Sequence, residues 1–415
     1  MGGEADEHAG PVVSRTEGNE VSITINAHSS PSHGSIIIAS ATAAAHPLTA
    51  HGTSASRLVR ALRGDRPEIT PVWFMRQAGR SLPEYRALRA TGTMLDACLS
   101  PELASEITMQ PVRRHGVDAA VFFSDIIVPL HLVGVEVEIA AGRGPVFRNP
   151  VRTAGEIAAL VRIDPALVEE RGEAVVEAVQ RTVAMLAEEG EQRGEPLPLI
   201  GFAGAPFTLA AYLVEGGPSK DHLGARSLIH SDPAAWADLT AWLAEVTGRF
   251  LALQVRAGAS AAQLFDSWAG ALAPADYRRA VLPASAAALE PVRALRGEGL
   301  DVPLIHFVVG TGEILADMAS IGVDAIGVDY RVDLDDAVTR IGRDLTVQGN
   351  LDPALLFAPE DVRRRAAHAA LASGLAARAH VFNLGHGVPM NTDPTVLTDL
   401  VRTVHDWRAP AESAR

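Results

Sequence analysis

Lysine and cysteine are almost absent from this 415-residue chain: Lys220 and Cys98 are its only examples of each. A single thiol excludes an internal disulfide and any cysteine-cluster metal site. A lone lysine, placed just after the turn-like GGPS (216–219) rather than at a strand end, makes imine chemistry a poor fit, because a Schiff base needs a lysine amine. Long apolar runs are missing as well. None approaches the roughly 18 residues that a membrane-crossing helix requires. The start of the chain shows no basic stretch followed by an apolar block, so a secretory leader is not expected and a cytoplasmic location is. Positive charge is in deficit, with 36 Lys and Arg against 50 Asp and Glu and a net charge of −14, which argues against a general nucleic-acid binder. The motifs GxGxxG, GxxxxGK[ST], HExxH and GxSxG do not occur, so the usual phosphate cradles, the zinc-protease pair and the serine-hydrolase elbow are all missing.

Arginine and apolar residues are what the chain has. With 47% hydrophobic residues it can bury a large core. Residues 1–56 are rich in Ala, Ser, Gly and His without a sustained period, and are expected to be a disordered extension; His28, His33, His46 and His51 are read there as solvated rather than metal-binding. From residue 57 to 408 a rhythm sets in, and 409–415 are expected to form a tail. Eight short β-rich runs recur: ITPVWFM (69–75), DAAVFFS (118–124), LPLIGFA (197–203), ASAAQLF (259–265), VPLIHFVV (302–309), VDAIGVD (323–329), LTVQGN (345–350) and AHVFNLG (379–385). Near-continuous apolar runs suit strands buried on both faces of a parallel sheet. Most are separated by helical stretches, such as the one that Ser100-Pro101-Glu102 opens with an N-cap serine and a proline at N1. Eight βα units in one domain predict an α/β fold of the (β/α)8 TIM-barrel type, with an inserted hairpin at 133–147, where polar and apolar residues alternate. A doubly wound open sheet is the alternative.

In such a barrel the active site lies at the C-terminal ends of the strands. Those ends carry polar groups after every run but the fifth: Arg76 and Arg80, Asp125, Tyr212, Asp266 and Ser267, Asp329 and Tyr330, Asn350 and Asp352, and His386. Arg76-Gln77-Ala78-Gly79-Arg80 reads as an anion clamp, since guanidinium forks match carboxylates and glycine lets the backbone come close. The bland reading is that both arginines pair with an acidic neighbour such as Glu84. Asp125 has apolar residues on both sides, so it either serves a ligand that offers donors or caps loop amides. His386, between two glycines, either faces a ligand or binds a main-chain carbonyl. Arginines, an apolar-flanked aspartate and no electron sink together suggest proton transfer or decarboxylation of an anionic substrate.

PVWFMRQAGRSLPEYR (71–86) closely resembles the first signature of the uroporphyrinogen decarboxylase family, and GFAGAPFTLAAYLVEGG (201–217) resembles its second. FFSDIIVPL, QLFDSWAG, QGNLDP and FNLGHGV match in the family's order, over about Arg57 to Trp407. The resemblance implies a carboxy-lyase of porphyrin and haem biosynthesis. It would remove the four acetate carboxyl groups of uroporphyrinogen III to give coproporphyrinogen III, without metal or organic cofactor and as a homodimer of barrels. It implies Asp125, Arg76 and Tyr212 as catalytic residues, with Arg76, Gln77, Ala78, Gly79, Arg80, Asp125, Tyr212, Ser267 and His386 binding the substrate. Two rivals stand beside it, a zinc-dependent corrinoid or thiol methyltransferase of the same superfamily and a catalytically silent tetrapyrrole-binding barrel. One departure is visible: many members carry an aromatic residue directly after RQAGR, where this chain has Ser81, which is expected to alter loop packing.

Overall fold

The computed structural model describes residues 44–89, 92–140 and 142–409. Its strands are β1 (Ala120–Val121), β2 (Val137–Ala140), β3 (Gly144–Phe147), β4 (Leu199–Gly204), β5 (Ala261–Asp266), β6 (Leu304–Val308), β7 (Ala325–Gly327), β8 (Thr346–Leu351) and β9 (His380–Leu384). Seven of them form one parallel sheet in the order β1-β4-β5-β6-β7-β8-β9. β4, β5, β6 and β9 are buried along their whole length, the condition that near-continuous apolar runs reflect. β2 and β3 make the expected hairpin, with Val137 opposite Phe147. The helix Pro101–His115 begins as its sequence directs, with the Ser100 side chain accepting from Leu103 N.

The first apolar run departs from expectation. It is not a laddered strand but a stave touching its neighbours at one bridge, Val72 with Phe382 of β9. Three main-chain bonds still close the barrel: Trp73 N to Phe382 O (3.3 Å), Phe382 N to Pro71 O (2.8 Å) and Asp118 N to Val72 O (2.9 Å). Pro71 has no N–H to give a longer ladder. Side chains do the rest. Asn383 Oδ1 accepts from Met75 N (3.1 Å), the Trp73 indole donates to Gln348 Oε1 (3.1 Å), and Gln348 donates to Gln263 (3.0 Å) across the interior.

Side chains alternate inward and outward along each strand, and the inward set packs as one cluster: Trp73, Met75, Val121, Ile200, Phe202, Phe265, Ile305, Phe307 and Val381 among them. Leu58, Ala61 and Leu62 of the helix Arg57–Leu62 join that cluster and plug the N-terminal end. The inward residues that keep slight exposure, Met75, Val121, Phe202 and Phe265 at 7–8%, lie toward the C-terminal ends of their segments and floor the mouth.

Residues 1–43 and 410–415 of the expected extension and tail lie outside the described residues. From 44 to 56 the structure differs from the expectation of disorder. His46 is fully buried, its Nε2 meets Val255 O at 2.9 Å, and Thr53 Oγ1 meets Ser260 Oγ at 2.8 Å. The Ala- and Ser-rich composition hid a segment that docks on the barrel's N-terminal face.

Asp118 ties the ends of the domain to the stave. Its carboxylate accepts from Val72 N (2.7 Å), Arg57 Nη1 (3.0 Å) and His405 Nε2 (2.8 Å), while Arg57 Nη2 also holds Glu195 at 2.6 Å. We expect Asp118→Ala to lower the unfolding free energy by about 3 kcal/mol, because it strands buried partners. Denaturant titration checks this; a loss below about 1 kcal/mol, the size of an exposed pair, would show that the latch is dispensable.

Candidate active site

The stave ends in a turn that its sequence makes possible. Arg76 sits at φ 63°, in the left-handed region that side chains avoid unless held there. The holding group is Gln77. Fully buried, it accepts from Phe74 N (2.9 Å) and donates to Ala119 O (3.1 Å), pinning the turn to β1. Gln77, expected among the substrate-binding residues, has its side chain bonded to these main-chain atoms. Gly79 admits the Arg76 carbonyl, which a Cβ would meet at 3.2 Å. Arg76 and Arg80 are both exposed, and Arg80 Nη1 lies 3.0 Å from the Met390 sulfur on the loop after β9. Glu84, the suspected counter-ion, is instead held by Arg114 at 2.5 and 2.7 Å.

Asp125 follows β1 and is half-buried at the mouth. Loss of hydration lifts its carboxyl above the usual range, opposed by the Ile127 amide on Oδ1 (3.1 Å) and by the Arg76 charge. Asp125 caps one loop amide through Oδ1, as one of its two readings expects. Cys98 is buried against the Asp125 main chain, and burial followed by the aspartate charge pushes its thiol up. It is inert there.

Tyr212 rides on the helix Pro206–Glu215. Burial first and Asp125 second push its phenol up to about 12, against a small pull from Arg76, so the hydroxyl keeps its proton at neutral pH. Its ring lies 4.0 Å from that of Trp268, and Trp268 stacks on His222 at 4.3 Å. His222, at φ 50°, and Arg76 are the two non-glycine residues with positive φ among the described residues. Half-buried Ser267 lies between Trp268 and Asp266.

His386 is seated by its glycines. A Cβ on Gly387 would meet Arg76 Cδ at 2.5 Å, and one on Gly385 would meet Tyr330 N at 2.2 Å. Burial lowers the imidazole, helped by Arg76 and Arg331 and opposed by Asp329, so it is neutral near pH 7. The Arg76 charge is thus felt at Asp125, Tyr212 and His386 alike, so all three lie within its electrostatic reach. Arg80 stands at the rim, and Ser267 adjoins through the Trp268 stack.

A model of the uroporphyrinogen decarboxylase family matches residues 53–407. The chain belongs to this family. It is 59% identical over 376 residues to the uroporphyrinogen decarboxylase of Leifsonia xyli subsp. xyli, covering 88% of this chain and 98% of the relative. It is 56% identical to the Arthrobacter sp. (strain FB24) enzyme over 85% and 97%, and 52% identical to that of Streptomyces griseus subsp. griseus over 86% and 94%. Among solved structures, a methyltransferase from Methanosarcina mazei superposes with a TM-score of 0.66 at 19% identity, over 84% of this chain and 97% of that one. That likeness shows the shared α/β barrel and nothing of the chemistry. Among the described residues no three His, Cys, Asp or Glu side chains could hold a metal ion together, and no helix is long and apolar enough to cross a membrane.

Sequence reasoning counted Asp266 only as a polar strand end. Its Oδ1 accepts from Thr208 Oγ1 (2.6 Å) and Thr208 N (3.2 Å), and Thr208 Oγ1 in turn accepts from Trp268 N (3.3 Å). This joins the loop carrying Ser267 and Trp268 to the helix carrying Tyr212. Burial lifts the Asp266 carboxyl to about 7, and its Oδ2 has no partner. An acid whose folded pKa exceeds its unfolded one binds more protons when folded, so it costs stability as pH rises from about 4 to about 7. We expect Asp266→Asn, which mimics the protonated acid, to remove that slope. Unfolding free energies of both proteins across this range check it; parallel curves would mean that Asp266 does not titrate there.

Proposed function

We propose that this chain is a uroporphyrinogen decarboxylase, removing the four acetate carboxyl groups of uroporphyrinogen III to yield coproporphyrinogen III. The observation that carries the reading is the grouping of Arg76, Asp125, Tyr212 and His386 at the C-terminal mouth of a barrel, in a chain that matches decarboxylases over nearly their full length.

The chemistry follows from those residues. Each turnover replaces a CH2–COO⁻ group by CH3, consuming one proton and releasing CO2. Protonating the pyrrole carbon beside the acetate-bearing position makes the ring cationic, and the electron pair of the breaking C–CO2 bond flows into it. The exocyclic carbon then takes up a proton as the ring returns its own. The pyrrole itself is the electron sink, so the reaction needs no cofactor. The Asp125 carboxylate, set beside Arg76, accepts the pyrrole N–H groups and stabilises the developing ring cation, the preorganised electrostatics that contributes most to catalysis. Arg76 and Arg80 bind peripheral carboxylates, and they supply local positive potential in a chain whose net charge of −14 would otherwise repel a polyanion. Tyr212, protonated, and His386, neutral, add uncharged hydrogen-bonding groups, and Ser267 adds a hydroxyl. Gln77, Ala78 and Gly79 shape the turn that presents Arg76. The active enzyme is a cytoplasmic homodimer in this reading, with Leu223 (66% exposed) and Met390 (61%) as apolar side chains available near the mouth.

Anaerobic incubation with uroporphyrinogen III, followed by oxidation and separation by carboxyl number, tests the activity. Stepwise seven-, six-, five- and four-carboxyl products are expected. Unchanged eight-carboxyl material from folded protein would instead favour the silent binder. Asp125→Asn should keep the fold and lower kcat about 10²- to 10³-fold, the usual cost of one electrostatic group; near wild-type turnover would remove Asp125 from its role. Sedimentation at micromolar concentration is expected to give a dimer, and a monomer would refute that part of the reading.

A further inference from the structure

Four residues beyond β7, one side chain stands at the mouth that neither the sequence motifs nor the chemistry above has used. We propose that Arg331 binds a carboxylate of the substrate and forms, with Arg76, a clamp of two guanidinium groups on either side of His386. The inference rests on the decarboxylase reading and names a further binding residue for that site.

The placement is built. Asp329 is fully buried, and its carboxylate accepts from Gly310 N, from Arg331 N (3.0 Å) and from Arg331 Nη1 (2.6 Å). Asn350 Nδ2 donates to Asp329 O (2.9 Å) and Val332 O (2.6 Å), which fixes the main chain on both sides of Arg331. The guanidinium carbon lies 4.5 Å from the centroid of the Tyr330 ring. Aspartate therefore holds one edge of the guanidinium and an aromatic ring holds one face, yet the side chain remains 50% exposed. A guanidinium carries five N–H donors, so the open edge keeps a fork that matches a carboxylate.

The two glycines of Gly385-His386-Gly387 set the relation to Arg76. Gly387 seats the Arg76 stem and Gly385 seats the Tyr330 main chain, so the loop that carries His386 packs against Arg76 on one side and against the segment that carries Arg331 on the other. The charges of Arg76 and Arg331 both lower the His386 imidazole and Asp329 opposes them, which sets Arg331 within electrostatic reach of His386. The rival account is that Arg331 only neutralises buried Asp329. Two amide donors already share that carboxylate, and a mere counter-ion needs neither an aromatic backing nor an open edge at the mouth.

The test compares wild type, R331K and R331Q. Loss of one charge-assisted contact should raise KM and weaken binding of the eight-carboxylate substrate about tenfold or more in R331Q, with kcat within about threefold. R331K, which keeps the Asp329 pair and the melting temperature but not the fork, should fall between. A KM unchanged in R331Q, whatever its melting temperature, would overturn the assignment and leave Arg331 as a counter-ion. Fluorescence quenching with oxidised uroporphyrin measures binding without turnover. It judges Arg331 by the same tenfold criterion even if the wild-type protein releases no CO2, an outcome that would sink the decarboxylase reading alone.

Discussion

Closure of the barrel by residues 71–77 is the constraint on which the rest depends. Seven strands pair by ordinary ladders, but the eighth stave has one bridge and a proline where a donor would be. It is held by Asp118 at its base, Gln348 at Trp73, Asn383 at Met75 and Gln77 at the turn. Each of these is a buried polar side chain bonded to main chain or indole, a costly group that becomes stabilising only when fully satisfied. The arrangement frees the segment from strand geometry at the point where it must bend. A ladder continued through residue 76 would force extended dihedrals on Arg76, and the guanidinium would leave the mouth.

The same economy recurs around the mouth. Asp266 and Thr208 join a βα loop to the helix that carries Tyr212, Asn350 and Asp329 fix a second loop, and the Gly385 and Gly387 positions let a third press against Arg76 and Tyr330. Groups that could meet a substrate are therefore mounted on loops and one helix, all locked by residues behind them. Preorganisation of this kind matters most for electrostatic catalysis, because dipoles already in place need not reorient when charge develops.

How much of this was legible in the sequence depended on whether the signal was local. Parallel strands buried on both faces read as apolar runs, so the eight runs and the hairpin could be found. Arg76, Asp125, Tyr212 and His386 stood out because each is polar next to an apolar run or a glycine. The stave's lack of a ladder could be suspected only from Pro71. That Gln77 turns inward, that Cys98 lies behind Asp125, and that Trp268 and His222 back Tyr212 are tertiary facts with no periodic signature. Residues 44–56 were misread because composition outweighed the small cues there: His46 caps the Pro47–Ala50 helix and Ser56 caps Arg57–Leu62. Arg331 did have a local signal, an arginine following a polar pair at a strand end.

Charge distribution gives the last step. A polyanionic substrate must approach a chain of net charge −14, and the dominance of arginine over lysine decides how that can work. Most arginines with resolved partners lie in ion pairs on the outer surface, as Arg113 with Glu106, Arg249 with Glu169 and Arg365 with Asp361 do, and they contribute little field at a distance. At the mouth the balance differs, since the acid suspected of neutralising Arg76 and Arg80 is taken by Arg114. Arg331 keeps an aspartate, but that charge is buried and shared with two amides. Surface neutralisation elsewhere thus leaves the positive potential concentrated where the carboxylates have to arrive, and in the proposed mechanism Asp125 is the carboxylate set within it to meet the cationic ring.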